Sequence, residues 1–294
     1  MDSDAPLRDR VCLVTGASGG IGFVAARELA RLGATLLLVC RDGERGERTV
    51  NEIVGATGNR SVELLLADLS SQAEIRRLAR RLLSTRRPLH VLLNNAGVVM
   101  MKRTLTVDGI ETTFAVNHLA PFLLTNLLCE RLIESAPARI VTVASDAHRL
   151  RGVRIRFSDL QGERDYRPMR AYGQSKLANI LFTRELARRL AGTSVTANCL
   201  HPGMVATRLG ANNGLLARVL LVLLKPFSSS VDQGADTSVY LCSSSEVEGE
   251  TGKYFAARKQ SRANRAACSD EDAARLWDVS ERMVGLDPQG SLAT

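Results

Sequence analysis

The chain has 294 residues, 45% of them apolar, which is enough for one large core, and no Pro/Gly/Ser-rich linker divides it. The formal net charge is +8, but aromatic residues make up only 4% and much of the excess is arginine on amphipathic stretches, which argues against a nucleic-acid module. The cysteines (12, 40, 129, 199, 242 and 268) and histidines (90, 118, 148 and 201) show no metal-ligand spacing, so no metal site is assigned, and scattered thiols fit a reducing cytoplasm.

Residues 1–8 are polar and charged, with neither a signal-peptide core nor a membrane-spanning run, and read as a flexible tail on a soluble, cytoplasmic protein. Strands are expected at 11–15, 35–40, 62–66, 91–94, 139–145 and 194–200, with a further short one at 252–255. Helices are expected at 20–32, 43–54, 71–85, 109–135, 170–190 and 230–241, and Ser71 with Glu74 forms a capping-box pattern. In the helix at 71–85, Arg76, Arg77, Arg80 and Arg81 alternate with Ile75, Leu78, Ala79, Leu82 and Leu83, so these arginines form a solvated face. The alternation predicts an α/β fold: a doubly wound, Rossmann-type parallel sheet of about seven strands with helices on both faces. One domain spans 9–285, with a cofactor half at about 9–145 and a catalytic and substrate half at about 146–285; residues 286–294 form a second tail.

The first strand runs into Gly16-Ala-Ser-Gly-Gly-Ile-Gly22 and then a helix. Gly16 permits the tight turn, Gly20 lets the backbone approach a diphosphate, and Gly22 permits close helix packing. Tyr172 and Lys176 lie four residues apart, on one face of a helix, so the ammonium can lie beside the phenol and favour its ionised form. Ser145, at the carboxyl end of a strand, is placed to hydrogen-bond a substrate oxygen where charge develops. At the end of the second strand, Cys40 stands where an NAD site would place a carboxylate and Arg41 follows, so NADP(H) is expected over NAD(H).

These residues resemble the short-chain dehydrogenase/reductase family over roughly 9–285, through Thr15-Gly-x-x-x-Gly20-x-Gly22, Asn94-Asn-Ala-Gly97, Asn117, Ser145, Tyr172-x-x-x-Lys176 and Pro202-Gly203. Asp159-Leu-Gln-Gly-Glu163, the stretch 175–182, Gly252-Lys-Tyr-Phe255 and Arg275-Leu-Trp277 resemble its retinol dehydrogenase branch. The resemblance implies that Tyr172 is the acid/base and that Lys176 lowers its pKa and holds the nicotinamide ribose. It also implies that Ser145 polarises the carbonyl and that Asn117 holds a water in a relay to Lys176. Ala120 stands where the family often has glycine. Cofactor contacts are implied at Gly16, Ser18, Gly20, Ile21, Gly22, Arg41, Asp68, Leu69, Asn94, Ala96 and Gly97, and at the nicotinamide end at Tyr172, Lys176, Pro202, Gly203, Val205 and Thr207.

Substrate contacts are expected in two places. One is the basic segment 146–169, with Ala147 and His148 at its start; the other is the apolar run 215–227, with Leu215 and Leu216. That run is too short to span a bilayer, and a lid over a lipophilic substrate, a subunit contact or a peripheral membrane contact are all open to it. The function expected is NADP(H)-dependent interconversion of a lipophilic alcohol and its aldehyde or ketone, retinol/retinal-like or steroid-like. The alternatives are a ketoreductase for a bulky polyketide-like or xenobiotic carbonyl, and a non-catalytic NADP(H)-sensing protein. A homo-oligomer is left open.

Overall fold

Val11 and Leu13 enter one apolar core while Cys12 and Val14, between them in sequence, enter another, the mark of a strand covered on both faces. The computed structural model describes residues 5–203 and 230–286. Among these, the strands β1 (Val11–Thr15), β2 (Thr35–Cys40), β3 (Val62–Leu66), β4 (Val91–Asn94), β5 (Ala138–Val143), β6 (Val195–His201), β7 (Tyr254–Ala256) and β8 (Lys259–Gln260) form one sheet in the order β3-β2-β1-β4-β5-β6-β7-β8. All pairings are parallel except β7 with β8. About seven strands were expected. The eighth is a two-residue hairpin arm whose turn, Ala257 and Arg258, has φ of 48° and 60°, without the Asn or Gly that usually announces such a turn.

Helices α1 (Gly20–Arg31), α2 (Gly43–Thr57) and, later in the chain, α7 (Val231–Ser243) cover the face that carries Cys12, Val14, Leu36 and Leu38. The other face, with Leu13, Leu37 and Leu92, is covered by α3 (Gln72–Ser84), α5 (Ala120–Glu134), α6 (Pro168–Arg189) and α8 (Asp270–Val284). The strand order reverses between β1 and β4, and ligands of such sheets bind outside the carboxyl ends at that point.

The helix expected at 109–135 is broken. Gly109 lies outside it at φ 71°, Glu111 caps a single turn α4 (Thr112–Phe114) by accepting from the Thr113 and Phe114 amides at 2.8 Å, and a π segment, Ala115–Leu119, leads into α5. Pro121 supplies the reason: it has no N–H for the α-type bond to the carbonyl of Asn117, four residues back. At α3 Ser71 accepts from the Glu74 amide at 3.4 Å, but the Glu74 carboxylate turns to Arg77, so only half of the predicted capping box forms. The complete box is at α7, between Ser230 and Gln233. The expected tail over 1–8 is corrected from residue 5 onward, because Leu7 is buried and its amide donates to Leu32 O at 3.0 Å. Among the described residues, no helix is long and apolar enough to cross a membrane.

Candidate active site

The loops after β1, β2 and β4 make the first half of the site. Gly16 and Gly20 sit at φ 67° and 57°, a region open to glycine, and a Cβ on Gly22 would lie 2.4 Å from Gly16 O. Thr15 Oγ1 accepts from the Asn95 and Ala96 amides at 2.9 and 3.1 Å, and Asn95 Nδ2 donates to Thr15 O at 2.8 Å, which ties the glycine loop to the end of β4. No side chain caps α1, and its first turn carries no acidic residue. Its amides are therefore open to an anion, and the residues fit the diphosphate of a dinucleotide.

At the end of β2 the nearest carboxylate is spent on the fold. Asp42 is the N-cap of α2 and accepts from the Arg45 amide at 2.8 Å. Arg45, which sequence reasoning missed, reaches back over the glycine loop to donate to Ser18 O at 3.2 Å, and the buried Cys40 thiol also meets Ser18. The signal was present: with Asp42 as cap directly after the strand, Arg45 falls on the third helical residue, close to the loop that starts the site. Arg41 is exposed beside them. Asp68 is engaged in a turn with the Ser70 amide and hydroxyl at 2.8 and 2.7 Å, and Leu69 packs against the core. The Asn94 side chain serves the sheet. As the last residue of β4 it points inward and donates to Thr125 Oγ1 at 3.0 Å, while Asn95 makes the loop contacts.

The second half joins β5, the π segment and α6. Ser145 caps the 3₁₀ turn Asp146–Arg149 by accepting from the Ala147 amide at 3.1 Å, and its hydroxyl meets the Tyr172 phenol. Lys176, almost fully buried, has Nζ 5.7 Å from the Tyr172 ring centroid and donates to Val143 O at 2.8 Å. Burial lowers the ammonium to about 8. Burial also raises the phenol, with the Ser145 contact pulling the other way, so in this geometry the depression expected from Lys176 does not appear. Asn117 is fully buried: Oδ1 accepts from the Val98 amide at 2.7 Å, and Nδ2 donates to Val98 O at 2.9 Å and to Ser175 Oγ at 3.0 Å. Its side chain is thus occupied as a brace. A Cβ on Gly97 would lie 3.3 Å from Asn117 Oδ1 and 3.6 Å from Lys176 Nζ, so the glycine leaves the approach to the lysine open.

Asn117, Ser145, Tyr172 and Lys176 are thus brought together. The substrate assignment of His148 is corrected: it is fully buried, with Nδ1 2.7 Å from Ser145 O and Nε2 accepting from the Asn264 amide at 3.3 Å, so it anchors the serine turn. Ala147, half-buried, belongs to the same turn: its amide donates to Ser145 Oγ and its carbonyl meets α6 at Gly173. Pro202 and Gly203 follow β6. His201, just before them, accepts from the Asp146 amide at 3.3 Å, which ties this loop to the serine turn. Val205, Thr207, Leu215, Leu216 and the run 215–227 lie outside the described residues.

The profile of the family described as short chain dehydrogenase matches residues 10–215. Retinol dehydrogenase 12 of Mus musculus is 48% identical, covering 94% of this chain and 87% of its own length. Among solved structures, an uncharacterized protein from Mycobacterium paratuberculosis superposes with a TM-score of 0.77 at 34% identity, covering 95% of each chain. The Pseudomonas aeruginosa RhlG/NADP active-site complex does so with a TM-score of 0.68 at 28% identity, covering 87% of this chain and 97% of that one. The chain belongs to the short-chain dehydrogenase family, in its retinol dehydrogenase-like branch, and is an oxidoreductase of alcohol and carbonyl groups that works with a nicotinamide dinucleotide.

Proposed function

We propose that the chain interconverts a lipophilic alcohol and its aldehyde or ketone, retinol/retinal-like or steroid-like, with NADP(H) preferred over NAD(H). The cofactor choice is carried by one observation: Asp42 is engaged as the cap of α2 through Oδ1, and the β2 end presents two guanidinium groups, Arg41 and Arg45. Arginine matches a phosphate in charge and geometry, whereas an unphosphorylated ribose is better served by a carboxylate acceptor. The NADP complex among the solved relatives supports the same choice, and the name of the mouse relative supports a retinoid-like substrate.

The diphosphate would be held by the amides at the start of α1, and the nicotinamide ribose by Lys176 and Tyr172 beside Gly97. Bound there, the nicotinamide supplies or accepts a hydride. In the reducing direction Tyr172 gives its proton to the substrate oxygen while the Ser145 hydroxyl hydrogen-bonds that oxygen as charge builds on it. The Lys176 ammonium favours the ionised phenol that results, and Asn117 holds the water that restores the proton. Oxidation runs these steps in reverse.

The test is turnover of retinal, a steroid ketone and bulky aromatic ketones with NADPH and with NADH, beside Tyr172→Phe. Retinal or steroid reduction that prefers NADPH and vanishes in the variant is the expected result. Reaction of the aromatic ketones alone would replace the substrate class, and NADPH binding with no turnover anywhere would favour a sensor.

A further inference from the structure

His118 follows Asn117 in the π segment and is fully buried. Its ring lies among Phe114, Phe122 and Phe182, and its Nε2 is 2.9 Å from Ser280 Oγ on α8. Asn179, also buried, stands three residues beyond Lys176 on the same side of α6. Its Nδ2 donates at 3.3 Å to Val143 O, the carbonyl that also takes Lys176 Nζ. Two buried atoms of this cluster have no hydrogen-bond partner: His118 Nδ1 and Asn179 Oδ1. Buried polar atoms are rarely left open, and the Asn179 side chain is the hydrogen-bonding neighbour of the His118 ring, so the choice of tautomer decides whether the two can satisfy each other.

With the proton on Nε2, Ser280 Oγ would accept it, and Nδ1 and Asn179 Oδ1 would remain two acceptors without a proton. With the proton on Nδ1, Ser280 donates to Nε2 and the Nδ1–H is available to Asn179 Oδ1. The loss is the bond from the Ser280 hydroxyl to Leu276 O, a carbonyl the helix ladder already serves. Asn179 acts on the imidazole as an acceptor would, favouring the bound proton, although burial dominates and takes the ring down to about 4.

We infer that His118 and Asn179 are positioning residues for Lys176: the Nδ1–H of His118 holds the Asn179 amide with its N–H, and not its oxygen, toward Val143 O and the ammonium. A reversed amide would bring an oxygen beside the ammonium, favour its charged form and draw it from the face of Tyr172. The chain from Ser280 through His118 and Asn179 to Val143 O connects α8 to the reacting end of α6. This inference rests on the assignment of Lys176 and Tyr172 in the proposed function.

Two measurements test it. In protein labelled at the imidazole nitrogens, the His118 resonances should report the Nδ1–H tautomer; the Nε2–H tautomer would overturn the inference without reference to activity. The second compares His118→Asn, whose amide nitrogen replaces Nδ1, with His118→Gln, which reaches toward Ser280 instead. His118→Gln should lower kcat for reduction roughly tenfold and move the alkaline limb of kcat/KM to higher pH, while His118→Asn keeps the wild-type limb at a similar loss of Tm. An unmoved limb in His118→Gln, or two variants that differ only as their Tm values do, would overturn it. Tyr172→Phe separates the two levels. If it still turns over, the site assignment falls and takes the inference with it; if it is dead and His118→Gln keeps the wild-type limb, only the positioning role falls.

Discussion

Alanine at position 173 would place a methyl carbon 2.7 Å from Ala147 O and 2.7 Å from Val153 Cγ2. Gly173 adjoins Tyr172 on α6, and Ala147 belongs to the turn that carries Ser145, so the clash falls between the proposed proton donor and the hydroxyl proposed to hold the same oxygen. Ordinary contact begins near 3.4 Å, so the turn and helix must separate by about 0.7 Å in an interior packed too densely to absorb it elsewhere. Misplacement of reacting groups on the order of 1 Å can reduce rate by about 100-fold, so a loss of at least about tenfold in kcat is expected. Stability should fall by about 0–2 kcal/mol: removing a helical glycine gains about 1 kcal/mol, and overpacking costs about 1–3 kcal/mol. Gly55→Ala on α2 is the control, since nothing lies within 4 Å of its Cβ position; it should gain stability and keep full activity. The assay is kcat and KM beside thermal melting. A Gly173→Ala protein that melts higher and turns over at the wild-type rate would refute the reasoning.

Three further predictions follow from the same geometry. Arg41→Asp and Arg45→Ala should each weaken NADPH by about tenfold or more, from loss of a charge-assisted bond, and change NADH far less in a binding titration; equal losses for both cofactors would remove the phosphate assignment. With Lys176 lowered to about 8, the reduction rate should hold through neutral pH and fall as pH rises past that value. Lys176→Arg, permanently charged, should remove that limb from the kcat/KM profile. The buried His118 is lowered from 6.5 to about 4, so between those values the unfolded chain binds the extra proton. Its contribution is complete above about 6.5 and falls with pH, by about 3 kcal/mol at pH 4. Denaturant unfolding of wild type against His118→Asn should show that difference in slope, and parallel curves would count against a neutral buried ring.

The legible parts of the molecule were those written in consecutive residues. The glycine turn after β1 and the Tyr172/Lys176 pair each place their groups through one element's geometry, and the alternation of apolar runs fixes the doubly wound sheet. What sequence reasoning missed depends on contacts between distant segments. Arg45 reads as one more arginine on a solvated helix until Asp42 caps α2 and turns it over Ser18. His148 reads as a residue beside a pocket, but the carbonyl of Ser145 and the amide of Asn264, 116 residues on, bury it in the frame. Asn94 and Asn95 are indistinguishable in a motif, yet the strand end sends one into the core and the other to the loop. The π segment was also missed, although Pro121, four residues after Asn117, is a local signal that could have found it.

The central claim is that Tyr172 protonates a carbonyl oxygen while a nicotinamide at this site gives hydride to the carbonyl carbon. The most direct measurement is mass spectrometry of the alcohol formed from retinal with NADPH deuterated at the transferring position of the nicotinamide ring. The account predicts one deuterium on the carbinol carbon, and no alcohol from Tyr172→Phe despite retained NADPH binding. Alcohol formed without the label, or labelled alcohol formed equally well by the variant, would contradict it.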